Sequence, residues 1–219
     1  MSIELIDLLW QSCLETFYMV AVSSLVAFIF GIPLGVILTI TDKGHIKENC
    51  LVNRSLGAII NATRSTPFII LMVAIIPLTR LVVGTSIGTT AAIVPLTISA
   101  TPFIARIVES SLKEVPYGVI EAALAMGSTP IQIIRKVLLP EALSGIILGL
   151  TLTVVSLIGY SAMAGVLGGG GLGDLAIRYG YQRFRVDVMI ATVVILIIIV
   201  QCVQSFGDNL SKKMDKSRL

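Results

Sequence analysis

Charge is scarce in this chain of 219 residues: only 13% are Asp, Glu, Lys or Arg, where a soluble protein of this size carries roughly a quarter. With 55% hydrophobic residues as well, composition excludes a water-facing globular enzyme. Histidine is nearly absent, His45 being the single one, and the three cysteines Cys13, Cys50 and Cys202 stand far apart without a CxxC pair. A zinc or disulfide framework is therefore not expected, and the cysteines read as free thiols. The net charge of +3 is small and scattered, with no basic cluster interleaved by aromatics, so nucleic acid is excluded as a partner. There is no Gly-x-x-x-x-Gly-Lys-Ser/Thr loop, so any nucleotide that drives the protein binds another chain. No Lys or Arg precedes Lys43, the reverse of a signal peptide's basic start, so the first hydrophobic segment is expected to stay in the mature protein.

What is present is a set of long charge-free runs, from Thr16 to Thr41, Leu81 to Ala105, Ala142 to Gly173 and Val188 to Gly207, with a shorter one from Ser65 to Thr79. The long runs reach the ~20 residues that cross a bilayer as helix. They predict five membrane-spanning helices over 16–41, 57–79, 83–106, 141–166 and 187–208. Of the 16 basic residues, eleven fall in the loops after spans 1 and 3 and in the C-terminal tail, including all seven lysines. Four fall on the other side: Arg80, and Arg178, Arg183 and Arg185 between spans 4 and 5. The positive-inside rule then predicts an external N-terminus and a cytoplasmic tail, with those three arginines running against it.

Spans 3, 4 and 5 have no acidic or basic residue in their interiors, which argues against proton or ion coupling through a buried carboxylate. No self-similar halves appear among the spans, so an inverted-repeat carrier finds no support. Five helices enclose little room, and a pore forms most simply between two copies. Gly168-Gly169-Gly170-Gly171-Leu172-Gly173 satisfies G-x-G-x-x-G, with Asp187 near the expected acidic position, but it follows a membrane span instead of a strand. It reads as a flexible turn at the mouth of span 4. Arg64 is expected to snorkel to the interface, and Arg106 and Glu109, three apart, to form a local ion pair worth a few tenths of a kcal/mol.

The loop at about 114–140 carries the most specific pattern. Pro116 suits the first position of a short helix running to Met126 and stopped by Gly127. Thr129 as N-cap and Pro130 at N1 open a second helix, through Ile131 to Leu139, that meets Pro140 where span 4 begins. Such a knob offers Ile120, Leu124 and Met126 to a groove on a partner. By periodicity alone it fits an amphipathic loop on the bilayer surface equally well.

The residues themselves point further. Glu121-Ala122-Ala123, then three residues, Gly127, then nine residues, Val137-Leu138-Leu139-Pro140, resembles the EAA loop of ATP-binding-cassette (ABC) importer permeases, with Val137 in place of the commoner isoleucine. The segments Arg64-Ser65-Thr66-Pro67-Phe68, Ala92-Ile93-Val94-Pro95-Leu96-Thr97, Gly159-Tyr160-Ser161-Ala162-Met163 and Gly170-Gly171-Leu172-Gly173 extend the likeness over nearly the whole chain, to the permeases of methionine importers. That resemblance implies an all-α membrane protein of the type I ABC importer permease fold, with 1–219 as a single transmembrane permease domain in the cell inner membrane. It implies a homodimer that forms the translocation path for methionine. It also implies two cytoplasmic ABC ATPase subunits, which hold ATP and Mg, and an external methionine-binding protein; this chain itself binds no cofactor and is not an enzyme. Glu121, Ala122, Ala123, Met126 and Gly127 would couple the permease to the ATPase. A methionine path combines hydroxyls with apolar surface, for which Ser156, Tyr160, Ser161 and Met163 on span 4 are candidates that fit helix packing equally well. The rivals are a permease of the same kind for another amino acid or small solute, and an ATP-independent channel or carrier.

Overall fold

The computed structural model describes residues 3–214. Lys216 and Arg218, counted above in the tail, lie outside them. Eleven α-helices follow one another, and no strand occurs among the described residues. They are α1 (Ile3–Ile40), α2 (Cys50–Ser65), α3 (Phe68–Ala74), α4 (Ile76–Val83), α5 (Thr89–Lys113), α6 (Tyr117–Ala125), α7 (Pro130–Ile133), α8 (Leu139–Glu141), α9 (Leu143–Val166), α10 (Gly171–Leu175) and α11 (Val186–Met214). One π turn (Ile134–Leu138) joins α7 to α8 and another (Ala176–Tyr181) follows α10.

Four of these helices, α1, α5, α9 and α11, are long and apolar enough to cross a membrane. The predicted second span is not one straight helix. Pro67 interrupts it, because proline has no N–H to give and pushes the residue before it out of the helical region. As a result α2 and α3 meet at 104°, and the count of spans is five only if this bent pair is one of them. The first span starts well before Thr16, since Leu5 and Leu9 are buried against Leu175 and Val188 and extend α1 back to Ile3. The third begins later and ends later than predicted. Gly84 ends α4 in the left-handed region at φ 83, while Arg106, Glu109 and Lys113 stay helical because they pair with one another.

The chain divides into two compact units. In the unit made of Phe28–Ser65, Thr101–Leu152 and Ser205–Leu219, small residues set the helix spacing. A Cβ on Gly31 would lie 2.7 Å from Ile104 Cγ2, and one on Gly35 would lie 2.6 Å from the Ala105 carbonyl oxygen. These glycines, four apart, let α1 lie backbone-close on α5, as small residues do in membrane helices. Leu38, Ile60 and Ala105 form the core beside them. Along α9 the same logic holds twice, with Gly149 facing Ile107 of α5 and Gly207 of α11 facing Thr151. The hydroxyl pair Ser144 and Ser211, 2.9 Å apart, adds a polar tie between α9 and α11.

In the unit made of Met1–Ala27, Thr66–Ala100 and Thr153–Gln204, the glycine-rich stretch is a packed element and not the flexible turn predicted. Gly170 and Gly171 have φ of 78 and 76, which lets the chain turn back into α10. There the Gly171 N–H donates to Glu15 Oε2 at 2.7 Å and the Leu172 N–H to Thr16 Oγ1 at 2.9 Å. Gly171, Leu172, Gly173 and Leu175 are all buried, and Gly173 sits directly on the backbone of Ala162.

Candidate functional site

Between α5 and α9 the chain forms the knob expected from its prolines and glycine. Pro116 is the N-cap of α6, one position earlier than predicted. Met126 is the C-cap, and Gly127 follows at φ 77. The Ser128 N–H reaches the Ala123 carbonyl at 3.1 Å and the Gly127 N–H reaches Leu124 at 2.9 Å, the paired bonds of a Schellman ending. Thr129 then caps α7 as predicted, in a capping box with Gln132 whose two bonds measure 3.4 and 2.8 Å. The α-helical part of the second helix ends at Ile133, short of the expected Leu139. A π turn over Ile134–Leu138 follows, Pro140 lies inside α8, and α9 starts at Leu143.

The side chains divide the knob into an inner and an outer face. Ala123 and Ile120 are buried, so Ile120 packs inside the chain and is not offered to a partner, contrary to the sequence expectation. Glu121, Ala122 and Gly127 are exposed, and Met126 projects with 78% of its surface free. A thioether, a carboxylate and two small residues thus share one protruding turn.

Beneath the knob lies a charged cluster that the sequence showed only in part. Arg106 Nη1 meets Glu109 Oε2 at 2.5 Å as predicted, but Lys113 Nζ also meets Glu109 Oε1 at 2.9 Å and Asp42 Oδ2 at 2.6 Å. Glu109 is buried, and a carboxylate so placed needs both cations. Arg106 also donates to the Gly57 carbonyl at 3.2 Å. The hydrogen bond from Lys113, helped by the Lys43 N–H, holds the Asp42 carboxyl below the usual carboxylate range. Burial pushes His45 below its ordinary pKa, against the opposing pull of Asp42. The Tyr117 hydroxyl donates to the Gly44 carbonyl at 3.2 Å, and its ring meets His45 edge-on at 6.4 Å. Asp42 and Tyr117 carry no local signal because their partners Lys113 and Gly44 are distant in sequence, whereas Lys113 stands four residues from Glu109, a helical spacing that marks the pair.

The four candidates on α9 are not brought together. Ser156, Tyr160 and Met163, spaced by four and three, lie on one face of the helix, whereas Ser161 points elsewhere. Ser161 is buried and donates to the Ile158 carbonyl at 2.7 Å, which occupies its hydroxyl within the helix. Tyr160 stacks on Phe68 with centroids 4.7 Å apart and planes 8° off parallel. Met163 is exposed. Arg64, in the last turn of α2, places its guanidinium carbon 5.8 Å from the centroid of Phe103.

The family described as "Binding-protein-dependent transport system inner membrane component" matches residues 31–216. The chain belongs to that family. It is accordingly the permease subunit of an ABC transporter, a multi-pass component of the inner membrane with the type I ABC permease fold. Among its relatives in this family, the chain is 60% identical over 209 residues to the "Probable D-methionine transport system permease protein MetI" of Vibrio cholerae, covering 95% of this chain and 93% of that one. It is 54% identical over 165 residues to the "D-methionine transport system permease protein MetI" of Escherichia coli K12, covering 75% and 76%. A chain of the MetNI methionine ABC transporter, crystallised in inward-facing conformations, superposes with a TM-score of 0.96 at 50% identity over 98% of this chain and 99% of that one.

Proposed function

We propose that this permease forms, as a homodimer, the translocation path of an ATP-driven methionine importer. The observation that carries the reading is the 50% identity and TM-score of 0.96 to the permease chain of the MetNI methionine ABC transporter, beside 60% identity to a D-methionine permease. That agreement, over 98% of the chain, supports a similar path through the membrane. In this reading the whole of 1–219 acts as one permease domain, with the N-terminus outside and the tail in the cytoplasm.

The exposed turn of Glu121, Ala122 and Met126, shaped by Ala123 below and Gly127 behind, enters a groove on a separate ATPase subunit. Met126 supplies an adaptable apolar plug and Glu121 a charge for a basic partner. Two ATPase subunits carry ATP and Mg and draw the two knobs together when they close. Because α6 is tied to the loop at Gly44 and runs on through the π turn into α9, the displacement passes to the spanning helices and opens the path by alternating access. Selectivity rests on an external binding protein that delivers methionine. The α9 face that carries half-buried Ser156 and Tyr160 and exposed Met163 lines the path, and Ser161 shapes it from within the helix.

The test is purification from native membranes with mass spectrometry of co-purifying chains, followed by uptake of labelled methionine in vesicles with unlabelled amino acids as competitors. An ATPase with uptake inhibited by D- or L-methionine and by no other amino acid supports the reading. An ATPase without methionine uptake keeps the coupling and removes the substrate, and no ATPase removes the coupling loop.

A further inference from the structure

The three arginines that run against the charge count lie together in the segment before α11. Its two carboxylates are already taken. Asp174 pairs with Arg178, and Asp187 receives Arg185 through two hydrogen bonds, of 3.3 and 2.6 Å. Arg183 is held differently, with its guanidinium carbon 4.4 Å from the centroid of the Tyr179 ring. Stacking fixes the plane of the guanidinium and leaves its donors free for an oxyanion. Next to it Phe184 is held at φ 56, a left-handed conformation uncommon for a bulky residue, with 84% of its surface exposed. Tyr181 is also exposed.

This apolar surface continues onto α11. Val186, Ile190, Val193 and Ile197 are exposed and follow one another at helical spacing, so they form one stripe that begins beside Phe184. Among the four long spans α11 is the least covered, with only 17% of its most apolar window buried. A surface that joins aromatic rings and an unneutralised guanidinium to a lipid-facing stripe has the composition of a bilayer interface, where tyrosine and arginine sit at headgroup depth.

We infer that this segment seats an anionic phospholipid, with Arg183 on the phosphate, Tyr181 and Phe184 at the boundary of headgroup and acyl chain, and the α11 stripe along the acyl chains. A zwitterionic lipid offers the same phosphate beside a fixed cation, which the uncompensated charge of Arg183 disfavours. The site gives Arg183 a role on the side that the other charges avoid, while Arg178 and Arg185 are balanced by Asp174 and Asp187.

A localised probe tests it. The full chain carrying Trp10→Phe and Phe184→Trp has one tryptophan, placed in the segment, and is reconstituted in phosphatidylcholine vesicles doped with brominated phosphatidylglycerol or, separately, with the same fraction of brominated phosphatidylcholine. Stronger quenching by the brominated phosphatidylglycerol is expected. Adding Arg183→Gln lowers that preference about five-fold, equivalent to about 1 kcal/mol for one basic group near a charged surface, while Arg183→Lys keeps most of it. Equal quenching by both lipids overturns the inference, and so does a preference that survives Arg183→Gln. Quenching by neither places the segment clear of the bilayer, on a surface fit for another protein, and overturns it too. If the tryptophan variant does not fold, native mass spectrometry compares the phosphatidylglycerol retained by wild type and by Arg183→Gln. Lower retention by the variant is then expected, and equal retention overturns the inference.

Discussion

The Tyr117 hydroxyl donates to the Gly44 carbonyl at 3.2 Å, across 73 positions of sequence. That bond fastens the first turn of the α6 knob to the loop that follows α1. Tyr117→Phe removes the donor and keeps the ring, so the net loss of stability is about 1 kcal/mol. If the knob transmits force, the variant complex hydrolyses ATP at a near-normal rate while uptake per ATP falls several-fold. Parallel assays of phosphate release and uptake check this; an unchanged ratio refutes a transmitting role for the bond.

Gly127 has open space where a side chain would go, since nothing lies within 4 Å of a Cβ built on it, yet its φ is 77. Substitution therefore acts through backbone strain alone, about 1–2 kcal/mol for a residue that avoids the left-handed region. Gly127→Val is expected to uncouple hydrolysis from uptake. Gly127→Asn, which tolerates that conformation, is expected to keep most transport. Equal loss in both variants assigns the effect to bulk at the ATPase surface instead.

Gly173 presents the contrasting case, because a Cβ there would strike the backbone of Ala162, which cannot rotate away. Gly173→Ala is expected to cost about 1–3 kcal/mol through overpacking. Thermal unfolding in mild detergent should show a lower midpoint for Gly173→Ala than for Gly118→Ala, whose added Cβ meets nothing within 4 Å.

Acid should loosen the cluster beneath the knob in two steps. The folded pKa of His45 lies below its ordinary value of about 6.5, so on acidification the unfolded chain takes the proton first. The stability held by neutral His45 is complete above pH 6.5 and declines below it. Asp42, lowered by its hydrogen bond from Lys113, behaves likewise at lower pH. Its contribution is whole above the ordinary carboxylate pKa and disappears as pH falls through the folded value. Unfolding midpoints measured between pH 8 and 3 should show both declines, the first absent in His45→Gln and the second absent in Asp42→Asn.

Where local chemistry decides, the sequence was readable: Thr129 caps its helix, Gly127 takes a positive φ, and the apolar runs form α9 and α11. Where distant partners decide, it was not. Glu15 bounds the charge-free run and hides the true start of α1, which Leu5 and Leu9 extend by packing while Glu15 accepts from the Gly171 N–H. Ile120 looked like a docking residue because a short apolar helix does not reveal which face is covered. The bend at Pro67 is signalled by the proline itself, but the apolar residues on both sides of it mask the break in a hydropathy reading. Lys113 lies four residues from Glu109 on α5 and is within reach of it by helical spacing alone, whereas Asp42 joins Lys113 only once the loop after α1 lies beside α5.

The central claim is that methionine crosses this permease at the expense of ATP bound elsewhere. Vesicles bearing the permease with its co-purified ATPase and external binding protein are loaded with ATP or a non-hydrolysable analogue and given labelled methionine. Accumulation is expected with ATP and none with the analogue; accumulation without hydrolysis would rule out ATP-driven import.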